Sequence, residues 1–391
     1  MRIIAVGERR ARLGVRHHLA TEAKADSFEQ AAATMVGLHA SDPASVYLAA
    51  RARVRDVSID AIETALYGDR SVIRILGMRR TMFAAPIELA RLIQAGAATR
   101  LVAGERKRTA GFLKEGGITD EPETWLKEIE EATFEALLGL GSAFAKDLSE
   151  KVPALARQIR FGEGTKWAGS MAISTRVLLL LSLEGRIGRG RPRGKWTSSQ
   201  HQWRPIDDWS PGGLGGFEPE EARRQLVSRW LFTFGPGTMD DLKWWSGWTV
   251  RELRSALEGL DVTEVDVGGR AALVLSDDID PVPRPGSWVA FLPGLDPTPM
   301  GWKERDWYLG PHRAALFDTN GNIGPSIWHD GRIIGGWGQD HDKRVVHRLL
   351  EQVPARVTKA VAREAARVEE WIGDTKVTPR FRTPLEAELA R

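Results

Sequence analysis

The sequence predicts an α+β protein: three tandem helical modules, each tipped by a two-stranded ribbon, around a small C-terminal β-barrel. Three observations predict it. Amphipathic, helix-length segments bounded by Ser, Thr, Asp and Pro recur along much of the chain. Paired apolar runs with ribbon character follow them, one pair joined through Gly268-Gly269. Beyond the Pro-rich stretch Asp280 to Gly286 the chain turns glycine-rich and aromatic, with short apolar runs. At 391 residues it is also too long for a single core.

Glu8 to Leu19 reads as a short basic helix. Asp26-Ser27 offers an N-cap for Phe28 to Leu38, where Phe28, Ala31, Ala32, Met35 and Leu38 share one face. Pro43 fits the first turn of the next helix, capped by Ser41 or Asp42 and running to about Val54. Ser58 starts another, to Tyr67. Ser71 to Ala85 reads as two strands with a basic bend at Arg79-Arg80, and Pro86 opens a further helix. The order then recurs. Glu123 to Leu140, Ala145 to Val152 and the apolar Ser170 to Glu184 are helices, and a basic hairpin follows. From Glu218 it recurs again: helices to Phe234, over Thr238 to Trp245 and over Thr249 to Leu257, then strands Val262 to Val267 and Ala271 to Leu275.

Helix, short helix, helix and ribbon is the winged-helix plan, a helix-turn-helix variant. Past the linker, Trp288 to Leu292, Ala314 to Phe317 and Arg332 to Trp337 read as barrel strands, with turns at Asn320-Gly321 and Asp330-Gly331. Ala355 to Ile372 is an amphipathic closing helix, and the tail after Thr375 is expected to be loose. The expected boundaries are 1–115, 116–215 and 216–280 for the modules, 281–345 for the barrel, and 346–391 for the closing helix and tail.

Net charge is only +3, so electrostatic steering must come from patches. The densest lies between Gly185 and Ile206: Arg186, Arg189, Arg191, Arg193, Lys195 and Arg204, with no acidic residue. Gly188, Gly190 and Pro192 forbid a helix interior there, so the run reads as an exposed hairpin or arm. Such a row of cations favours an anionic partner. A phosphate backbone is the commonest, because each neutralised phosphate releases a condensed counterion. A plain solvated loop is the competing reading. The absence of cysteine excludes disulfides, thiolate nucleophiles and Cys-ligated metals. Met1 to Glu8 meets charge at once and lacks a signal-peptide core. The longest apolar run, Val177 to Leu181, is too short to cross a bilayer.

Four motifs in order resemble one family. They are Gly37-Leu38-His39-Ala40-Ser41-Asp42-Pro43, the strand Met78 to Pro86, Trp244-Trp245-Ser246-Gly247, and Leu292-Pro293-Gly294-Leu295-Asp296 with Gly301 to Arg305. Together they are similar to the bacterial winged-helix DNA-binding superfamily that contains the AlkZ-like, or YcaQ-like, DNA glycosylases. The resemblance spans roughly residues 8–345. It implies three winged helices around a barrel, a DNA cleft, and metal-free hydrolysis of the N-glycosidic bond of alkylated or bulky purines. Glycosylase members share a Gln-x-Gln or Gln-x-Asp pair that holds the attacking water; here His39 and Ser41 stand at those positions.

On this reading His39, Ser41 and Asp42 are the candidate catalytic residues. Neutral imidazole accepts a proton from water, a serine hydroxyl holds it, and a carboxylate supplies negative charge near the sugar. The same residues read as well as helix caps. Arg79, Arg80, Arg186, Arg189, Arg191, Arg193, Lys195, Trp196 and Arg305 are the candidate DNA contacts, with Trp196 as a ring for stacking on a base. The resemblance adds Asp296 as a cleft candidate. His17-His18 reads as part of a surface helix. The partner expected is double-stranded DNA, including damaged DNA, with no membrane, no cofactor and no metal. A cytoplasmic, nucleoid-associated monomer is the expectation. The alternative is a winged-helix DNA binder, of a regulatory kind, without hydrolysis.

Overall fold

Strand Val72–Leu76 passes through one tight turn, Met78–Arg80, into strand Met82–Pro86, and Leu38–His39 pairs with its far edge, giving the order 38–39, 82–86, 72–76. The computed structural model describes residues 1–391 apart from Glu163, Lys166 and Trp167. The predicted basic bend is therefore there, with both Arg79 and Arg80 at positive φ. Around this sheet lie helices whose starts are set by side chains. Ser27 Oγ accepts from Gln30 N at 3.1 Å before Phe28–Thr34, and Asp42 Oδ1 accepts from Ala44 N at 3.1 Å before Pro43–Arg53. His17 departs from expectation. It closes helix Val6–Arg16 and is fully buried rather than on a surface.

The next segment builds its own core. Helices Thr99–Glu115, Pro122–Leu140, Ala145–Lys151 and Ile173–Leu183 enclose Leu113, Leu126, Leu137, Leu148, Val177 and Leu181. The residues before Ile173 are a strand, Gly169–Ala172, paired with Gln158–Phe161, and not the first turn of the helix. The basic run then forms the expected hairpin, Ile187–Pro192 against His201–Pro205. It is not a free arm. Gly188 packs so closely that a Cβ there would come within 3.1 Å of Trp209 and 3.2 Å of Ile73.

Helices Pro219–Phe234, Met239–Ser246 and Val250–Leu257 follow, the last two opened by capping boxes on Thr238 and Thr249. Strands Val262–Asp266 and Ala271–Leu275 meet through Gly268-Gly269, both at positive φ, as an Asn-Gly-like turn requires. Arg2–Ile3 adds a parallel strand to their edge.

No closed barrel forms among the described residues. Val289–Leu292, Ser326–His329, Arg332–Gln339 and Val345–Leu349 make an open antiparallel sheet in that order. Its two edge strands do not pair. Instead helix Ala355–Ile372 packs on both of them, so the closure expected of strands is supplied by a helix. The segment predicted as strand at 314–317 is a short helix, Arg313–Leu316; a four-residue apolar run does not distinguish the two periods. The tail is not loose. Val377 and Leu385 are buried, and helix Pro384–Leu389 packs on Arg332–Gln339. A second, larger core joins the N-terminal helices, the helices from 219 to 257, this sheet and its closing helix.

Candidate functional site

His39 lies on the strand opposite Phe83, edge-on to that ring with centroids 5.0 Å apart. Its Nδ1 is buried and has no hydrogen-bond partner among the described residues. Burial drives its pKa down to about 4; Asp296 opposes this and Arg79 adds to it. At neutral pH the ring is therefore an uncharged acceptor. Ser41 Oγ accepts from Met82 N at 3.3 Å. Asp42 is nearly enclosed, and both of its oxygens are engaged by main-chain donors: Oδ1 by Ala44 N and Oδ2 by Arg380 N at 2.9 Å. Burial raises the Asp42 pKa against those two bonds. Asp42 thus holds the helix start and the C-terminal tail at once.

The basic hairpin is less cationic in space than in sequence. Arg186 makes a bidentate pair with Glu131 at 2.6 and 2.7 Å, Arg191 pairs with Glu63, and Arg204 pairs with Asp208. These carboxylates all come from outside the acid-free run, Asp208 just beyond its end. Arg193 and Lys195 stay exposed without a carboxylate among the described residues, Arg193 lying 4.3 Å over the Phe144 ring. Arg189 is turned inward beside Trp203, and burial pushes its pKa down to about 10. Trp196 does not face a solvent groove. It is 5% exposed and packs on Tyr47 and Trp371, so its ring is spent in the core rather than offered to a base.

The bend and the C-terminal segment meet at one indole. Arg79 stands 4.1 Å over the Trp244 ring and Arg305 4.7 Å from it. Arg305 is enclosed, against Phe317 as well, with Nε donating to Trp302 O at 3.1 Å, so it is a packing residue and not a surface cation. Arg80 instead pairs with Glu105 at 3.0 Å. Asp296 is fully buried and pairs with Arg53 through both oxygens, at 2.6 and 2.8 Å, so its carboxylate does not reach a cleft.

Three residues that the sequence reading passed over complete the site: Arg74, His201 and Arg380. Arg74 sits in Val72–Leu76, wholly buried, with Nη1 2.9 Å from His201 Nε2. A lone cation in an otherwise apolar strand was the available signal. Arg380 reaches back from the tail, with Nη1 donating to Ser41 O at 3.3 Å; nothing local in sequence marks it. A cavity of about 510 Å³ is lined by Asp42, Arg189, Thr197, Ser199, Thr378 and Arg380. The end of the candidate motif, the hairpin and the tail therefore converge on one open space, which His39 and Ser41 do not line.

Fold and site bring the end of the candidate motif, through Asp42, and the cationic hairpin, through Arg189, to one cavity. The family model described as DNA glycosylase AlkZ-like matches residues 32–371, and the chain belongs to that family. An interstrand DNA cross-link repair glycosylase of Streptomyces sahachiroi is 30% identical over 173 residues, which is 42% of this chain and 46% of that protein. The chain thus matches about half the length of this curated relative. The solved structure of Streptomyces sahachiroi DNA glycosylase AlkZ has a TM-score of 0.74 with this chain, covering 97% of it and 99% of the other, at 22% identity. That likeness is one of fold. The resemblance carried by the four sequence motifs is borne out at the level of the family.

Proposed function

We propose that the chain binds damaged duplex DNA and hydrolyses the N-glycosidic bond of alkylated or bulky purines, within three winged-helix modules. The observation that carries the reading is convergence. Asp42 and Arg189, far apart in sequence, line one cavity, and the chain is of a DNA glycosylase family. The modules are supported by the thrice-repeated order of helices and hairpin: 28–86, 122–205 and 219–275.

An N7-alkylated purine already carries positive charge. The C1′–N9 bond breaks with its electron pair passing to the purine, whose charge it cancels, and a water oxygen bonds C1′. The protein has to place that water and take its proton. His39 is the acceptor for that proton, being neutral with a buried Nδ1 that has no partner among the described residues. Ser41 Oγ, already accepting from Met82 N, keeps its hydrogen to donate. Asp42 acts by holding the segment in place, since its oxygens are occupied. Arg193 and Lys195 on the hairpin meet the phosphate backbone. The double engagement of Asp42 and the absence of His39 and Ser41 from the cavity lining favour the alternative, DNA binding without hydrolysis.

Incubation with duplex containing N7-methylguanine, followed by alkali, tests the proposal. Strand breaks are expected with the native chain and a reduction of about 10²-fold or more in His39→Ala. The rate should hold level from neutral pH to about 5 and fall as pH nears 4, where His39 takes its proton. Tight duplex binding with no breaks over background would establish the binding-only alternative.

A further inference from the structure

Arg74 and Arg189 are inward-facing guanidiniums with no carboxylate partner among the described residues. Arg74 is 2% exposed, and its Nε and Nη2 have no hydrogen-bond partner there; neither does the buried Nε of Arg189. The nearby carboxylates are all committed. Asp42 accepts from two main-chain N–H groups, Glu63 is held by Arg191, and Asp208 by Arg204. His201 is no substitute. It is uncharged, its pKa pushed down to about 3 by burial and then by Arg74, with Nδ1 donating to Gly190 O at 3.1 Å and Nε2 accepting from Arg74. Arg380 adds a third positive charge, felt by Arg189 together with that of Arg74. Enclosing like charges without a counter-charge is strongly unfavourable unless something anionic completes the set.

We propose that Arg189 and Arg380, with the hydroxyls of Thr197 and Ser199, form a seat for one phosphodiester group at the cavity beside Asp42, and that Arg74, which does not line the cavity, adds its charge from the core. A phosphodiester carries one negative charge on two free oxygens, which suits forked guanidinium donors and hydroxyls. The seat draws on the hairpin and the tail, so a phosphate there fixes the two beside Asp42. As a DNA contact it rests on the function proposed above. Its chemistry, oxyanion recognition, is shared with a free phosphate group.

Two measurements test it on the full-length chain: anisotropy of a labelled duplex across a salt series, and the melting temperature with and without inorganic phosphate. Arg189→Gln and Arg380→Gln are compared singly and together, since Arg74→Gln risks the fold. Loss of one phosphate contact should lower the slope of log affinity against log salt by about 0.9 in the double variant. Inorganic phosphate should raise the melting temperature of the native chain and not that of the double variant. A folded double variant that binds duplex with an unchanged slope and keeps its phosphate response overturns the seat and leaves the proposed function standing. If the native chain does not bind duplex, the proposed function falls. A phosphate response abolished by the substitutions then supports the seat for free phosphate, and no response at all overturns it.

Discussion

Arg53 and Asp296 meet with neither side chain exposed, and Thr298 Oγ1 extends the pair to His17 Nδ1 at 2.9 Å. Removing one partner leaves the other as a bare buried charge. Asp296→Ala should therefore cost about 3–5 kcal/mol in urea denaturation, more than a surface carboxylate would. The buried histidines set an acid limit. His17, His39 and His201 each have a folded-state pKa below the usual value near 6.5, burial being the largest cause in every case. Unfolding frees them to bind protons, so the unfolded state takes up more of them as pH falls below about 6.5. Their contribution is complete above about pH 6.5 and is lost on descent through about 4 for His39 and about 3 for His201. The urea midpoint should drop from pH 7.5 to pH 5, and the drop should be shallower in His39→Asn. A midpoint that stays flat over that range contradicts the assignment.

The hairpin Ile187–Pro205 shows how an element redistributes charge. Alternation along the strand sends Gly188, Gly190 and Pro192 inward and Arg191 and Arg193 outward, while Arg189 is only partly turned in. Of the outward cations, Arg191 is neutralised by Glu63. The remaining electrostatic work falls to Arg193 and Lys195. Replacing both with Ala should reduce the salt slope of duplex binding by up to about 2, with stability changed by no more than about 0.5 kcal/mol. An unchanged slope in the folded double variant would place the DNA elsewhere. The hairpin itself was legible, because glycines, a proline and alternating cations leave few other conformations. Its ion pairs were not, because Glu63 and Glu131 are brought to it only by packing.

For the whole molecule, the C-terminal tail is a structural member. Val377 and Leu385 are buried, Val377 N donates to Gln339 Oε1 at 2.7 Å, and Arg380 N holds Asp42. Deleting residues 376–391 should cost roughly 3–6 kcal/mol from the two apolar side chains alone and free one oxygen of Asp42. Thermal or urea melts check the first effect, and a denaturation midpoint equal to that of the full chain would refute it. The tail reads as loose in sequence because no single turn of it has a strong apolar face; its order comes from partners elsewhere in the chain, from Gln339 to Asp42. The barrel was misread for a related reason. Strand pattern and turns identify a sheet, yet whether its edges meet each other or a helix is a matter of tertiary packing. By itself the sequence determined the local elements, from caps at Asp26-Ser27 and at Ser41 or Asp42 to Gly268-Gly269 as a turn, since these follow from backbone sterics and nearest-neighbour hydrogen bonds. It also determined the family, through short motifs in a fixed order. Only the tertiary structure decided which arginines are neutralised, that Trp196 and Arg305 are enclosed, and that Arg74, Arg189 and Arg380 stand together. Charge acts across space, and distance in space is what a linear chain does not record.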